Sequence, residues 1–138
     1  FTLAVDGTYF IRIENNDGNA VRSTNADLTV SDAPVWTTGA GSLGTIAGNF
    51  SGKVATVAAS GDTIVYSEVT NVLTNNALAN CTLNSSTGAI TTTDFAGSNT
   101  TAATYTFTLR ATDAQNQTAD REFTLTSSFG ATGGGQFN

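Results

Sequence analysis

The sequence predicts an all-β chain whose larger part is a β-sandwich, and three observations carry that reading. Apolar residues alternate with polar ones and never settle into a helical spacing. Thr, Val, Ile, Tyr and Phe dominate the alternating stretches, which is strand chemistry. Clusters of Gly, Asn, Asp and Ser interrupt them at intervals of about ten residues, as sandwich turns do.

The first candidate strand covers Thr8 to Asn15, with Tyr9, Ile11 and Ile13 on one face and Phe10, Arg12 and Glu14 on the other. Asn16-Asp17-Gly18-Asn19 is a turn in which Asp17-Gly18 can take positive φ. The chain returns over about Ala26 to Ser31, with Leu28 and Val30 inward. Residues 1–31 are thus a hairpin, which is marginal by itself and needs the other half of a sandwich. The chain starts on Phe1 and contains no Met, so it is expected to be a piece of a longer polypeptide.

Residues 32–34 hold the only Pro and are read as a linker. Residues 35–128 then supply candidate strands at Val35–Thr37, Leu43–Ile46, Lys53–Ala59, Thr63–Ser67, Thr82–Leu83, Ala89–Thr92, Thr104–Thr112 and Ala119–Ser127. In the clearest, Tyr105, Phe107, Leu109 and Ala111 alternate with Thr and Arg. Asp113 to Gln117 make its turn, and Phe123 and Leu125 return on the partner strand. Asn71 to Asn80 carries the weakest pattern, a short helical turn or an irregular loop. This span is long enough for one sandwich with a real core. Residues 129–138 are a Gly-rich tail in which Phe129 and Phe137 bracket Gly133-Gly134-Gly135. The tail is read either as a disordered terminus or as a docking peptide led by the two aromatics.

Composition narrows the function. The chain has 138 residues, with 26 Thr, 13 Asn, 11 Ser, 14 Gly, one Cys, one Lys and no His. Without His there is no Ser-His-Asp or Cys-His pair and no His-ligated metal. One Cys forms no intrachain disulfide and no Cys-rich zinc site. Five basic residues against 11 acidic ones, a net charge of −6, argue against nucleic-acid binding. No apolar run approaches the ~18 residues of a membrane span, so no membrane insertion is expected.

The opening hairpin resembles the last two strands of an immunoglobulin-like domain. Asp6-Gly7-Thr8-Tyr9-Phe10-Ile11 resembles the Asp-x-Gly-x-Tyr-x-Cys stretch of that family, with Asp6 directly before Gly7. Tyr9 stands at the tyrosine-corner position, and Ile11 where the family has its second Cys. The resemblance implies a disulfide-free variant and makes residues 1–31 the C-terminal hairpin of a truncated Ig-like domain. Residues 35–128 resemble the putative-Ig and cadherin-like sandwich modules of bacterial surface and phage virion proteins. The stretches Leu83-Asn84-Ser85-Ser86-Thr87-Gly88-Ala89-Ile90-Thr91 and Tyr105 to Ala114 carry that match. The whole layout, with Trp36-Thr37-Thr38, Asp120-Arg121-Glu122 and the Gly-Gly-Gly-Gln-Phe-Asn end, is similar to tandem Ig-like modules in structural proteins of tailed phages, particularly those of cyanobacteria.

Several constellations suggest chemistry. Asp32, Asp113, Asp120 and Glu122 invite a calcium reading. Calcium usually takes 6–8 oxygens, however, and no Asp-x-Asn-Asp-Asn linker is present. These carboxylates are therefore read as solvated turn groups. Asp94, Asp113, Asp120 and Glu122 give no carboxylate pair with a buried setting for glycoside hydrolysis. Cys81 is read as a buried, inert thiol. The Asn-x-Ser/Thr triplets at Asn49, Asn80, Asn84, Asn99 and Asn116 barely exceed the roughly three or four this composition generates by chance. Trp36 is a candidate surface-binding aromatic for carbohydrate, set against packing where the linker enters the sandwich.

The expectation is a non-enzymatic structural protein of a tailed-phage virion, without cofactor or metal: a fibre, tail or neck, or head-decoration component. Its Ig-like modules would serve assembly or host-surface adhesion. Its partners would be other virion proteins, copies of itself, or a host-surface glycan. The second reading is a bacterial cell-surface adhesin or carbohydrate-binding module, located outside the cell.

Overall fold

A computed structural model of the protein describes residues 7–11, 26–30, 32–97 and 101–128, the first two stretches as backbone. Every regular element among the described residues is a strand. The chain divides into two compact units, Phe1–Asp32 and Ala33–Asn138.

In the first unit β1 (Gly7–Ile11) and β2 (Ala26–Val30) form an antiparallel pair, with Gly7 opposite Val30 and Ile11 opposite Ala26. The predicted continuation of β1 to Asn15 and the Asn16–Asn19 turn lie outside the described residues.

The second unit is built from β3 (Val35–Trp36), β4 (Gly41–Ala47), β5 (Gly52–Thr56), β6 (Ala59–Ser60), β7 (Val65–Glu68), β8 (Cys81–Leu83), β9 (Ala89–Thr92), β10 (Ala103–Thr112) and β11 (Thr118–Ser128). One sheet has the order β4-β11-β10-β7, a second has β5-β9-β8, and β3 pairs with β6. The core lies between the sheets. Phe107, Leu109, Phe123 and Leu125 fill it from one side, while Val57, Ile90 and Phe95 meet them from the other, all at 0% exposure. Each such side chain contributes ~1.5–3 kcal/mol through burial.

The β10–β11 hairpin follows directly from its sequence. Tyr105, Phe107, Leu109 and Ala111 are buried, and Phe107 stands opposite Phe123. The intervening Thr residues, Arg110, Asp120 and Glu122 lie on the outer face, with Thr106 opposite Thr124 and Arg110 opposite Asp120. Ser127 breaks the polar-outside pattern. It is fully buried, and its Oγ accepts the Ala103 N–H at 3.0 Å, so the hydroxyl keeps a partner.

β4 joins β11 in parallel. Ser42 stands opposite Thr124 and Thr45 opposite Thr126, so Leu43 and Gly44 share one partner position. That bulge needs an unusual backbone, and Gly44 supplies φ +137°.

The expected single strand Lys53–Ala59 is two strands. β5 pairs with β9, whereas β6 pairs with β3. The chain changes partner at Val57 and Ala58. Val57 is fully buried and its N–H donates to Gly88 O, while Ala58 O accepts from Thr37 N and Thr38 N. Alternation of side chains carries no record of which strand the backbone will join, so the sequence pattern ran straight through the break.

Gly88 closes the β8–β9 turn at φ +73°. A Cβ there would lie 2.1 Å from Val57 O, so only glycine allows the two segments to approach.

Candidate functional site

Trp36 is not a surface platform. The ring is only 6% exposed. It packs edge-on against Phe123 at 5.4 Å and tilted at 45° against Tyr66 at 5.8 Å. Its indole N–H donates to Ala119 O at 2.9 Å, which satisfies the one polar atom of the buried ring. Val35 beside it is exposed, so β3 alternates as a strand should and turns the aromatic inward. The expectation of a carbohydrate-stacking Trp36 is corrected to a core residue.

The acidic side chains named by the sequence do not converge. Asp120 faces Arg110 in a two-point contact of 2.8 and 2.9 Å on the outer face of the hairpin. That hydrogen-bonded pairing holds the Asp120 carboxyl below its usual range and raises Arg110. Arg121 points to the other face and donates to Thr38 O at 3.0 Å. Glu122, Asp94 and Asp32 are exposed. Among the described residues no group of three or more His, Cys, Asp or Glu is placed to hold a metal ion.

Asp113 corrects the expectation of a solvated turn carboxylate. It is 4% exposed. Its Oδ1 accepts the N–H groups of Gln115 and Gln117 at 2.9 and 2.8 Å, which folds the β10–β11 turn around the side chain. Oδ2 is buried with no hydrogen-bond partner.

Among the described residues, the most heavily used carboxylate is one the sequence did not single out. Glu68, at the end of β7, accepts five hydrogen bonds. They come from the N–H groups of Val72, Leu73 and Thr74 and the hydroxyls of Thr70 and Thr74, at 2.6–2.9 Å. Burial raises the Glu68 carboxyl, but these donors outweigh it and hold the group below its ordinary value of 4.5. The signal was a Glu followed by a Thr- and Asn-rich stretch, too common here to stand out. Cys81 is buried, with its thiol donating to Ala79 O at 3.3 Å. Burial, reinforced by the Glu68 charge, pushes its pKa up to about 12. A thiol held protonated is a poor nucleophile.

The 69–80 segment folds as successive turns, with Asn71 and Asn80 at positive φ and Leu73 and Ala79 buried. It walls a cavity of about 350 Å³ on the outer face of the β8–β9 sheet. Asn76 and Asn80 line it from the segment, Thr82 from β8, and Thr91 and Thr93 from β9 and beyond, with Cys81 and Thr92 beneath. Thr82 and Thr91 are direct cross-strand partners. The Asn80 wall is pinned: its Nδ2 donates to Asp94 O at 2.7 Å and its carbonyl accepts from Thr92 Oγ1 at 2.8 Å. That use of Nδ2 also occupies the amide of the Asn80-Cys81-Thr82 triplet. Asn49, Asn84 and Asn116 are exposed, and Asn99 lies outside the described residues. So do Phe129, Phe137 and the rest of the Gly-rich tail.

No protein-family model and no curated protein matches the sequence. Solved structures do match. Protocadherin gammaB7 EC3-6, solved as a cis-dimer, superimposes with a TM-score of 0.57 at 20% identity over 76% of this chain and 28% of that one. The protocadherin gammaB4 extracellular domain gives 0.57 at 19% over 88% and 22%. Drosophila N-cadherin EC1-4 gives 0.54 at 10% over 91% and 34%. The fold is a cadherin-like, immunoglobulin-type β-sandwich. The chain spans about a fifth to a third of the length of these proteins, and likeness at such identity carries architecture without function.

Proposed function

We propose that the chain is a non-catalytic structural module of a tailed-phage virion, a fibre, tail or neck, or head-decoration component. Its sandwich acts as a rigid spacer or clamp for assembly or host-surface adhesion. The observation that carries the non-catalytic part of the reading is the structural use of three carboxylates. Glu68 and Asp113 fold loops and Asp120 pairs with Arg110 across the β10–β11 ladder. The Thr-, Asn- and Gly-rich, Lys-poor composition suits a subunit held by hydrogen bonds and apolar docking. Residues 1–31 belong, in this proposal, to a preceding sandwich, and Phe129 and Phe137 dock against a neighbouring subunit. Self-association is part of it, since cyclic homo-oligomers are the common state of such assemblies, and one similar structure is itself a cis-dimer.

Sedimentation of the natural source, with mass spectrometry of each fraction, tests the proposal. Recovery of these peptides with a megadalton particle is the expected result. Recovery as a free or envelope-bound species would replace it with the second reading, a bacterial surface adhesin or carbohydrate-binding module. The likeness to extracellular repeats favours that second reading. Residues 34–128 expressed alone are expected to unfold cooperatively, and residues 1–33 alone to show no transition.

A further inference from the structure

We propose that the cavity between the 69–80 segment and the outer face of β8–β9 binds one neutral sugar unit of a glycan, through Asn76, Asn80, Thr82, Thr91 and Thr93. The proposal deepens the adhesive side of the function above and rests on it only for the biological source of the sugar.

The chemistry of the lining selects the ligand. Every side chain facing the cavity is an amide or a hydroxyl, apart from the buried and protonated Cys81. Hydroxyls both donate and accept, and amides present a donor and an acceptor side by side. Lys53, Arg110 and Arg121, the basic residues of the second unit, are absent from the lining, so a phosphate or carboxylate ligand meets no counter-charge. An apolar ligand would strip water from several polar groups and return no hydrogen bonds. A ligand carrying hydroxyls in several directions fits both demands. The volume of about 350 Å³ stands at the small end of ligand pockets, which suits a single ring.

The groups are also available and held in place. The side chains of Asn76, Thr82, Thr91 and Thr93 are exposed and make no hydrogen bond to another described residue. Thr82 and Thr91 face each other across the ladder, with Cβ atoms about 5 Å apart, and Thr93 follows two residues on along the same face. The Asn80 wall cannot swing, because Asp94 O fixes its amide nitrogen and Thr92 Oγ1 fixes its carbonyl. That leaves its Oδ1 for a ligand. A site assembled before binding loses little entropy on closing around the ring. No aromatic ring lines the cavity, so a single copy is expected to bind in the millimolar range, and repeated copies to gain through multivalency.

The test uses the full 138-residue chain and two-dimensional amide NMR. Glucose, galactose, mannose and N-acetylglucosamine are titrated with their methyl glycosides, alongside glucose 6-phosphate and gluconate. The expected result is saturable shifts at Asn76, Asn80, Thr82, Thr91 and Thr93 with at least one neutral sugar and its methyl glycoside. The charged analogues should bind at least tenfold more weakly. The double substitution T82V/T91V keeps side-chain size and strand preference. It should weaken binding at least tenfold with the melting temperature unchanged, whereas T104V/T106V on the opposite sheet should leave binding intact. Absence of shifts with every neutral sugar, shifts confined to another face, or undiminished binding by T82V/T91V would each overturn the site. Binding of free sugars but not methyl glycosides would overturn the glycan assignment. Particle association is read independently by sedimentation, so a chain that binds sugar without sedimenting with a particle removes the virion proposal and keeps the pocket, and the reverse result removes the pocket alone.

Discussion

The β10–β11 hairpin and the 69–80 segment are held by opposite means. In the hairpin ten cross-strand pairs share the load, with buried side chains at every second residue, and no single hydrogen bond matters much. In the 69–80 segment one carboxylate, Glu68, gathers five donors, and the turns have no ladder to fall back on. Periodic structure distributes its stability, whereas irregular structure concentrates it in a few polar groups.

The sharpest way to break this contrast is to cut the hairpin core. Phe107→Ala removes a ring with 0% exposure and is expected to cost ~3–5 kcal/mol, read as a lower denaturation midpoint for the whole second unit. Glu68→Gln comes next, at about 2 kcal/mol, because an amide keeps one acceptor and turns two N–H groups toward existing donors. Its signature is local: hydrogen exchange at Val72, Leu73 and Thr74 should speed up far more than at Phe107 or Phe123. Equal acceleration everywhere would show that the segment and the hairpin unfold as one unit.

Acidification repeats the Glu68 experiment reversibly. The folded pKa lies below the ordinary 4.5. The stabilisation is therefore complete above that ordinary value and is lost as pH falls through the folded one. Amide protection at residues 72–74, followed from pH ~6 to ~3, should fall in the wild type and stay flat in Glu68→Gln. The smallest effect belongs to Asp120→Asn. Its pair with Arg110 is exposed to water on both sides, and no measurable change in melting temperature is expected.

The same contrast explains what was legible in the sequence. Tyr105, Phe107, Leu109, Phe123 and Leu125 announced their strands because period-two alternation is a property of side chains, and side chains are what a sequence spells out. The hydrogen bonds of Glu68 and Asp113 end mainly on backbone N–H groups, which every residue here but Pro carries, so nothing in the lettering marks them. Trp36 lay in a strand of two residues, too short for alternation to show which way the ring would turn. The cavity was invisible for a third reason. Its Asn and Thr side chains come from two stretches, 76–82 and 91–93, of a chain with 26 Thr and 13 Asn, and neither stretch contrasts with its surroundings.

The parallel pairing of β4 with β11 has a mechanical meaning. Both strands run the same way, Gly41 beside Phe123 at one end and Ala47 beside Ser128 at the other. The polypeptide therefore enters this ladder at one pole and leaves it at the opposite pole. Tension drawn along the chain slides the two strands past each other, so their hydrogen bonds share the load together. An antiparallel ladder pulled from its open end would give way one rung after another.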